Sequence, residues 1–338
     1  MIKRPKFKRG ILPSAITLGL LAPMGLAPMA FSQQADELVE EIVTIGSRRP
    51  ARSVSDSLVP VDVITGEELQ NMGFADMDEM LKTAIPSYNV SRHAISDAAT
   101  LVRPATLRGL PPDNALVLVN GKRRHRSGVI AELGGSLAAG SQGADISAIP
   151  NLAIKQMAVL RDGAAAQYGS DAIAGVLNFE LNDASEGMTL EARTGEFAEG
   201  DGQLTQYMGN IGLPLGQDGF LNLTGSWMEQ DPTSRSTQRT DAANLIANGN
   251  AIQRSSVRSP YAQVWGGPEY KENWNVFFNS GIELSDTMEI YAFGNYGQRE
   301  TEGGFYFRNP NSRSNVYTSG STRAIVDTSI KPGSTGIT

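Results

Sequence analysis

The chain has no cysteine, which excludes both a disulfide framework and any thiolate metal site. It has two histidines, His93 and His125, too few for a histidine-rich metal centre. Charged residues make up only 19% of the sequence. No uninterrupted apolar run reaches the ~20 residues that a membrane-spanning helix requires. Catalytic patterns are missing as well. Two histidines and no nucleophile elbow leave no defensible Ser-His-Asp order, and Asp162 and Asp171 are isolated acids with nothing to pair them as catalysts. The spacing of Gly163, Gly169 and Gly175 fits neither the dinucleotide nor the P-loop pattern, and these glycines read instead as backbone turns. No enzyme activity and no cofactor are expected. What is abundant is glycine, 36 residues in 338, which together with the low charge points to strands and turns rather than helical bundles.

The net charge of −7 is unevenly distributed. Lys3, Arg4, Lys6, Lys8 and Arg9 crowd the first ten residues, and no acid lies before residue 33. An apolar stretch of about 12 residues follows from Ile11, then a Pro/Gly-broken run to Ala30, with small residues around Ala30-Phe31-Ser32. Residues 1–32 therefore read as a secretory signal peptide rather than a membrane anchor. Its removal would leave an acidic chain of roughly −12, a poor partner for nucleic acid.

Residues 33–58 read as a flexible polar leader. Within it, Glu41-Ile42-Val43-Thr44-Ile45 is a short β-branched run, suited to adding as a strand to the edge of a partner's sheet. From 59 to about 182 the pattern is mixed. Val59–Ile64 reads as a strand, and Thr65-Gly66-Glu67-Glu68 opens a helix with a capping box. Phe74–Ile85 is a second helix stopped by Pro86, and Leu116–Val119 is a strand closed by the Asn120-Gly121 turn. Ile154–Leu160 and Val176–Leu181 are further strands. About 120 residues of this kind are enough to bury one core.

After residue 187 the period becomes two. Thr189–Gly195, the segment carrying Thr205, Tyr207, Gly209, Ile211 and Leu213 on one face, Phe220–Glu229, Asn275–Leu284 and Met288–Gln298 read as five strands of a meander. The last has large groups on both faces, Ile290 on one and Tyr291 with Phe293 on the other, so no outer face can be assigned to it. Its links alternate: Pro214–Asp218 and Ser285-Asp286 are tight, whereas 196–202, 230–274 and everything from Arg299 onward are long. Short turns at one end and long loops at the other are the habit of an outer-membrane barrel, and a soluble β-sandwich has no reason to adopt it.

Leu107-Arg108-Gly109, the run ALVLVNGK from Ala115 to Lys122, Arg161-Asp162-Gly163 and GSDAIAGVLNFEL from Gly169 to Leu181 follow in this order. Together they resemble the plug domain of the TonB-dependent outer-membrane receptors. The resemblance implies an α+β plug followed by the first antiparallel strands of a transmembrane β-barrel, of about 22 strands in that family. It divides the chain into 1–32 signal peptide, 33–58 leader, 59–187 plug and 188–338 partial barrel. It makes Glu41, Ile42, Val43, Thr44 and Ile45 the TonB box, and Arg108 and Arg161 plug–barrel latches whose acidic partners belong to the barrel. The expected partners are TonB, outer-membrane lipid and a small-molecule or metal-chelate substrate, a siderophore–iron complex being the family default. The expected compartment is the Gram-negative outer membrane. Lys122 precedes Arg123-Arg124-His125-Arg126, which reads as a substrate-facing loop, as a solvated basic loop, or as one that pairs with acids of the barrel wall. Arg92-His93 and Arg103 read as a second such loop. The sequence departs from the family's commoner patterns in its IVTIG box and in Asp162-Gly163-Ala164.

A barrel that holds a plug needs about 22 strands, and residues 188–338 supply five. The expectation is an N-terminal portion of a receptor that does not transport alone. The alternative is an exported, non-transporting plug fragment that only binds TonB or ligand.

Overall fold

The computed structural model describes residues 42–43, 52–53, 61–90, 100, 103, 105–131, 138–247, 265–285 and 287–304. All of them fall in a single compact unit, Glu41–Thr338. The expected signal peptide, Glu41, Thr44, Ile45, Arg92 and His93 lie outside the described residues.

The first strands are short. β1 (Ile42–Val43) pairs antiparallel with β2 (Arg52–Ser53), so Ile42 and Val43 already take extended backbone. β3 (Val61–Thr65) leads into α1 (Gly66–Asn71). The capping box read from the sequence is present: Thr65 Oγ1 accepts from the Glu68 amide at 3.2 Å, and the Glu68 carboxylate accepts from the Thr65 amide at 2.8 Å. α2 (Met77–Ala84) begins later than expected because Asp76 caps it, its carboxylate accepting from the Asp78 amide at 2.9 Å. It stops before Ile85, as the following Pro86 requires.

β4 (Tyr88–Val90) and β5 (Ala105–Leu107) form a small antiparallel pair. β6 (Ala115–Val119) turns at Asn120-Gly121 into β7 (Lys122–Arg123). Both turn residues have positive φ, 47° and 70°, which is the backbone a two-residue hairpin loop of this hand needs. β8 (Ile154–Leu160) and β9 (Gly175–Leu181) complete a sheet of order β3-β8-β9-β6-β7, in which β6 and β9 alone run parallel. The turn before β9 contains the single-turn helix α3 (Ala165–Tyr168). Gly175 has φ 146°, and a Cβ there would lie 2.4 Å from the Leu160 carbonyl oxygen, so glycine is required where the motif places it.

Both faces of this sheet are apolar. One face packs Val117, Val119, Met157, Val159, Leu177 and Phe179 beneath α1 and α2. The other collects Val61, Leu116, Leu118, Leu160 and Val176 with Tyr168. β9 is thus an almost continuous buried run, broken by two polar residues, the buried Asn178 and the half-buried Glu180. That amide is used: its Oδ1 accepts from the Gly121 amide at 3.0 Å.

The second sheet is an antiparallel meander of β10 (Met188–Gly195), β11 (Leu204–Pro214), β12 (Gly219–Gln230), β13 (Glu269–Ser285) and β14 (Met288–Glu302), neighbours in chain order. The five expected strands are present, with β13 six residues longer at its start, and the long link before β13 carries α4 (Thr240–Ala247). At about 3.4 Å per residue, the 17 residues of β13 reach on the order of 55 Å, beyond the ~30 Å hydrocarbon core even when tilted.

Burial along these strands is inverted relative to a soluble sheet. The buried face holds Gln206, Met208 and Asn210 on β11, Asn222 and Thr224 on β12, and Asn273, Asn275, Phe277 and Asn279 on β13. The opposite face exposes Leu190, Tyr207, Leu213, Val276, Phe278, Ile290 and Tyr296. On that face Tyr207 stacks on Trp227 at 5.9 Å, Trp227 is in register with Trp274, and Trp274 meets Tyr296 at 5.5 Å. The row lies near the long-loop end of the strands, where a barrel carries an interfacial aromatic girdle. The structure also assigns the faces of β14. Phe293 packs against the plug core, so its face looks inward and Ile290 and Tyr296 look out.

Candidate functional site

The polar face of the meander is buried because the first unit packs on it. Phe277 enters the plug's apolar core and Phe293 lies against it. Around these rings the contact is polar, and it has two distinct parts.

At the short-turn end, side-chain amides bond directly to the chain that leaves β9. Asn279 donates to the carbonyls of Asn182 (3.1 Å) and Leu181 (3.4 Å) and accepts from Asn120 Nδ2 at 3.1 Å. Asn182 donates to Asn210 at 3.3 Å, and Asn222 donates to the Ala184 carbonyl at 3.2 Å. Asn210 in turn donates to Asn222 Oδ1 (2.6 Å) and Thr224 Oγ1 (2.8 Å), so this buried amide row is closed on itself.

At the long-loop end, wall side chains reach the turn between α1 and α2. Arg193 donates to the Phe74 carbonyl, and Gln206 Nε2 donates to the Ala75 carbonyl at 3.0 Å. Beneath them lies a buried ionic cluster. Arg103 bonds Asp76 and lies 3.4 Å from Asp78, while the Tyr88 hydroxyl donates to Asp78 at 2.6 Å. Burial dominates at Asp78 and pushes its carboxyl up to about 7, Asp76 adding to the effect against the pull of Arg103 and the Tyr88 bond. Tyr88 is also held well above its usual value by burial and then by Asp78. Burial would lower the Arg103 pKa, but Asp76, Tyr270 and Asp78 together raise it. Arg103 therefore corrects the sequence reading that placed it in a substrate-facing loop. It is a buried structural cation with φ 51°.

The basic loop after β7 is divided. Arg123 bonds Asp171 and donates to the Tyr168 carbonyl at 3.0 Å, both within the plug. Arg126 lies 3.8 Å from Asp113 and from Asp171. Arg124 instead crosses to the strands, donating to Asn295 Oδ1 at 2.6 Å and sitting 5.9 Å above the Phe277 ring. Its wall partner among the described residues is an amide, Asn295. Burial lowers the pKa of both Arg124 and His125, and at His125 the neighbouring Arg124 adds to it. Arg124, His125 and Arg126 line an open cleft of about 430 Å³ with Asp145, Asn273, Asn275, Asn295 and Arg299, at the long-loop end of β13 and β14. Arg299 is bound to Asp145 (3.4 Å) and Ser147 (2.9 Å). The bases of the two long loops are pinned by Arg235, which bonds Asp201 (2.5 Å) and Glu199 (3.0 Å) and lies over Phe197.

Arg108 and Arg161, far apart in sequence, are brought together. Arg161 bonds Asp62 on β3, and Arg108 lies 3.9 Å from Asp162. Both guanidiniums are substantially exposed. Their bonded partners are plug acids, so the structure juxtaposes the two motifs without testing a barrel partner. Among the described residues no group of three His, Asp or Glu could hold a metal ion, and no helix is long and apolar enough to cross a membrane.

An α+β unit seated on the polar face of an inside-out meander defines a class. Residues 53–176 match the TonB-dependent receptor plug domain. Residues 53–176 are thus a TonB-dependent receptor plug domain, and the five antiparallel strands after it, apolar on their outer face, have the arrangement of the first strands of a Gram-negative outer-membrane receptor barrel. Among curated relatives, the vitamin B12 transporter BtuB of Photobacterium profundum is 29% identical over 282 residues, covering 83% of this chain and 39% of its own. The ferric enterobactin receptor PirA of Pseudomonas aeruginosa is 29% identical over 181 residues, 52% of this chain and 24% of its own. The chain thus spans about two fifths or less of these relatives. These are transporter and receptor names rather than enzyme names, in line with the expectation from sequence. The fold is shared with the ferric enterobactin receptor PfeA of P. aeruginosa (TM-score 0.53, 18% identity, 71% of this chain and 33% of that one). It is shared also with the siderophore receptor PirA of Acinetobacter baumannii (TM-score 0.51, 20% identity, 77% and 35%).

Proposed function

We propose that the receptor bearing this chain imports a scarce small molecule across the outer membrane, with energy delivered by TonB to the segment Glu41–Ile45. The observation that supports this most is the open cleft of about 430 Å³ at the long-loop end, where plug and wall jointly present polar groups. Substrate enters there. Arg124 is the cation best placed to meet it, because its wall partner is a neutral amide, whereas Arg123 and Arg126 face plug acids. The substrate class is an anionic or strongly polar organic molecule or metal chelate. The relatives named for vitamin B12 and ferric enterobactin handle molecules of that kind.

Energy transfer is by strand addition. Ile42 and Val43 already have extended backbone, so pairing with an edge of TonB exchanges one ladder for another. We place the domain limits at 59–187 and 188–338, a division that the change from the mixed plug sheet to the meander supports. Arg108 and Arg161 act as latches by offering exposed guanidiniums on one face of the plug to acids of the barrel. The deciding experiment is Val43→Pro in the intact receptor, which removes a ladder donor. Ligand binding to cells is expected to persist while energised uptake is lost; uptake at the parent rate would overturn the reading.

A further inference from the structure

Beside the long-loop end of β10–β13 lies a cavity of two adjoining lobes, each of about 250 Å³, which share Asp76, Phe197, Gln230 and Tyr270. One lobe reaches the turn between α1 and α2 at Phe74 and Ala75, with Leu204 and Met228 on the wall. The other reaches Arg103, Pro268 and the base of the second long loop at Thr233 and Gly266. None of these residues lines the cleft around Arg124.

Two aromatic rings stand open in this cavity. Phe74 is 38% exposed and Phe197 43%. Phe74 belongs to the plug and Phe197 to a loop, so contact with lipid explains neither. The Phe197 ring is held by its own loop. Its amide donates to the Asp201 carbonyl at 3.0 Å, and its carbonyl accepts from the Gly200 amide at 2.8 Å. Gly202 has φ 66°, and a Cβ there would lie 2.6 Å from the Phe197 ring and 2.7 Å from the Thr233 methyl. Glycine is therefore required for the loop to close on the ring. The base of the second loop is closed too, the Gly267 amide donating to Thr233 Oγ1 at 2.7 Å. Both walls of the cavity are thus formed before any ligand arrives.

The charge here is opposite to that of the cleft. Asp76, Glu79 and Glu196 line the cavity, and no lysine or histidine does. Its one guanidinium, Arg103, is held by Asp76 and Asp78. Arg235 lies 5.8 Å from the centre of the Phe197 ring and is matched by Asp201 and Glu199, so the ring already serves as a cation-facing surface.

We propose that this cavity is a second small-molecule site, which takes an organic cation with an aromatic or apolar body. The body packs among Phe74, Phe197, Leu204 and Met228, and the carboxylates and ring faces draw the cationic group. An anion is repelled by the same carboxylates, and a small hydrated metal ion gains nothing from aromatic walls. The seated ligand touches plug and wall at once, across the joint that Arg193 and Gln206 make with Phe74 and Ala75. The site stands apart from the transport reading, since it shares no lining residue with the substrate cleft.

The test is equilibrium dialysis of the intact receptor, with the same detergent on both sides, against three probes of one ring size: benzyltrimethylammonium, benzyl alcohol and benzenesulfonate. The cation should bind saturably and on the order of tenfold more tightly than the alcohol, with the sulfonate weakest. Phe197→Ala should weaken the cation by about tenfold, and Glu196→Gln by a smaller factor. Both residues lie on an exposed loop, so the unfolding midpoint should stay at the parent value. Equal binding of all three probes would reduce the effect to partition of a ring and overturn the proposal. Preference for the sulfonate, or no binding of any probe, would overturn it equally. Cation binding kept in Phe197→Ala but lost in Arg124→Gln would move the ligand to the cleft and likewise end the proposal.

Discussion

In the plug, Leu177, Phe179 and Val117 turn toward a closed apolar core and the charged ends of Arg123 and Arg161 turn outward. In β10–β14, Asn210, Asn222 and Thr224 are the buried residues, while Tyr207, Val276 and Ile290 are among the exposed ones. The plug is built for water and the meander for lipid, with an amide-rich face turned to the plug. Each unit supplies what the other lacks: the meander gives two aromatic rings, Phe277 and Phe293, to the plug's core, and the plug covers the amides of the wall. The comparison teaches that the sign of amphipathicity, rather than its period, distinguishes the two regions.

The most disruptive single change attacks the one deeply buried cation among the plug's described residues. Arg103→Met leaves Asp76 and Asp78 without their guanidinium, and the expected cost is about 3–5 kcal/mol, read as a lowered unfolding midpoint of the purified receptor. Replacing both acids by asparagine in the same protein should recover much of the loss. Next is a change that tells lipid from water. Val276→Arg should cost about 2–4 kcal/mol for folding into bilayers if the residue faces the hydrocarbon midplane, whereas an exposed position on a soluble sheet would tolerate it within about 0.5 kcal/mol.

The plug should also respond to pH in a sense opposite to ordinary acid denaturation. Asp78 in the folded chain binds its proton near pH 7, against an ordinary value of 3.8. Between those values the folded state holds the extra proton, so the contribution of this site to stability rises as pH falls from about 7 toward 3.8. Comparing parent and Asp78→Asn midpoints across that window should show the dependence in the parent and its loss in the variant. A smaller effect, about 1 kcal/mol, is expected for Thr65→Ala, which removes the cap of α1. The smallest is Arg161→Gln. Its exposed pair with Asp62 should contribute at most about 1 kcal/mol, so a large fall in uptake with an unchanged midpoint would show that Arg161 acts outside the plug.

Much of this architecture was readable from residue order. Thr65 and Glu68 announced the capping box, Asn120-Gly121 announced the hairpin, and the spans of β8 and β9 followed from apolar runs bounded by turn residues. The segregation of short turns from long loops identified the meander as a barrel segment before any packing was known. What escaped was long-range. Asp76 and Asp78 look like ordinary first-turn helix acids, and Arg103 sits in a stretch without periodicity, 27 residues from the carboxylate it binds. The outer face of β14 was illegible because Tyr291 and Phe293 are as apolar as Ile290; only the plug core that receives Phe293 decides between them. The basic loop was legible as a cluster but not in its division, since the acids that neutralise Arg123 and Arg126 come from Asp113 and Asp171, distant in sequence.

The central claim, that one face of the meander meets lipid and the other meets the plug, is tested most directly along β13. The absence of native cysteine makes each introduced thiol unique. Spin labels placed singly at 274–280 in the bilayer-reconstituted receptor should alternate. Trp274, Val276 and Phe278 positions should show high collision rates with dissolved oxygen and low rates with a polar nickel reagent, while Asn275, Phe277 and Asn279 positions should be shielded from both. Equal accessibility at neighbouring positions, or polar-reagent access at Val276 and Phe278, would contradict the account.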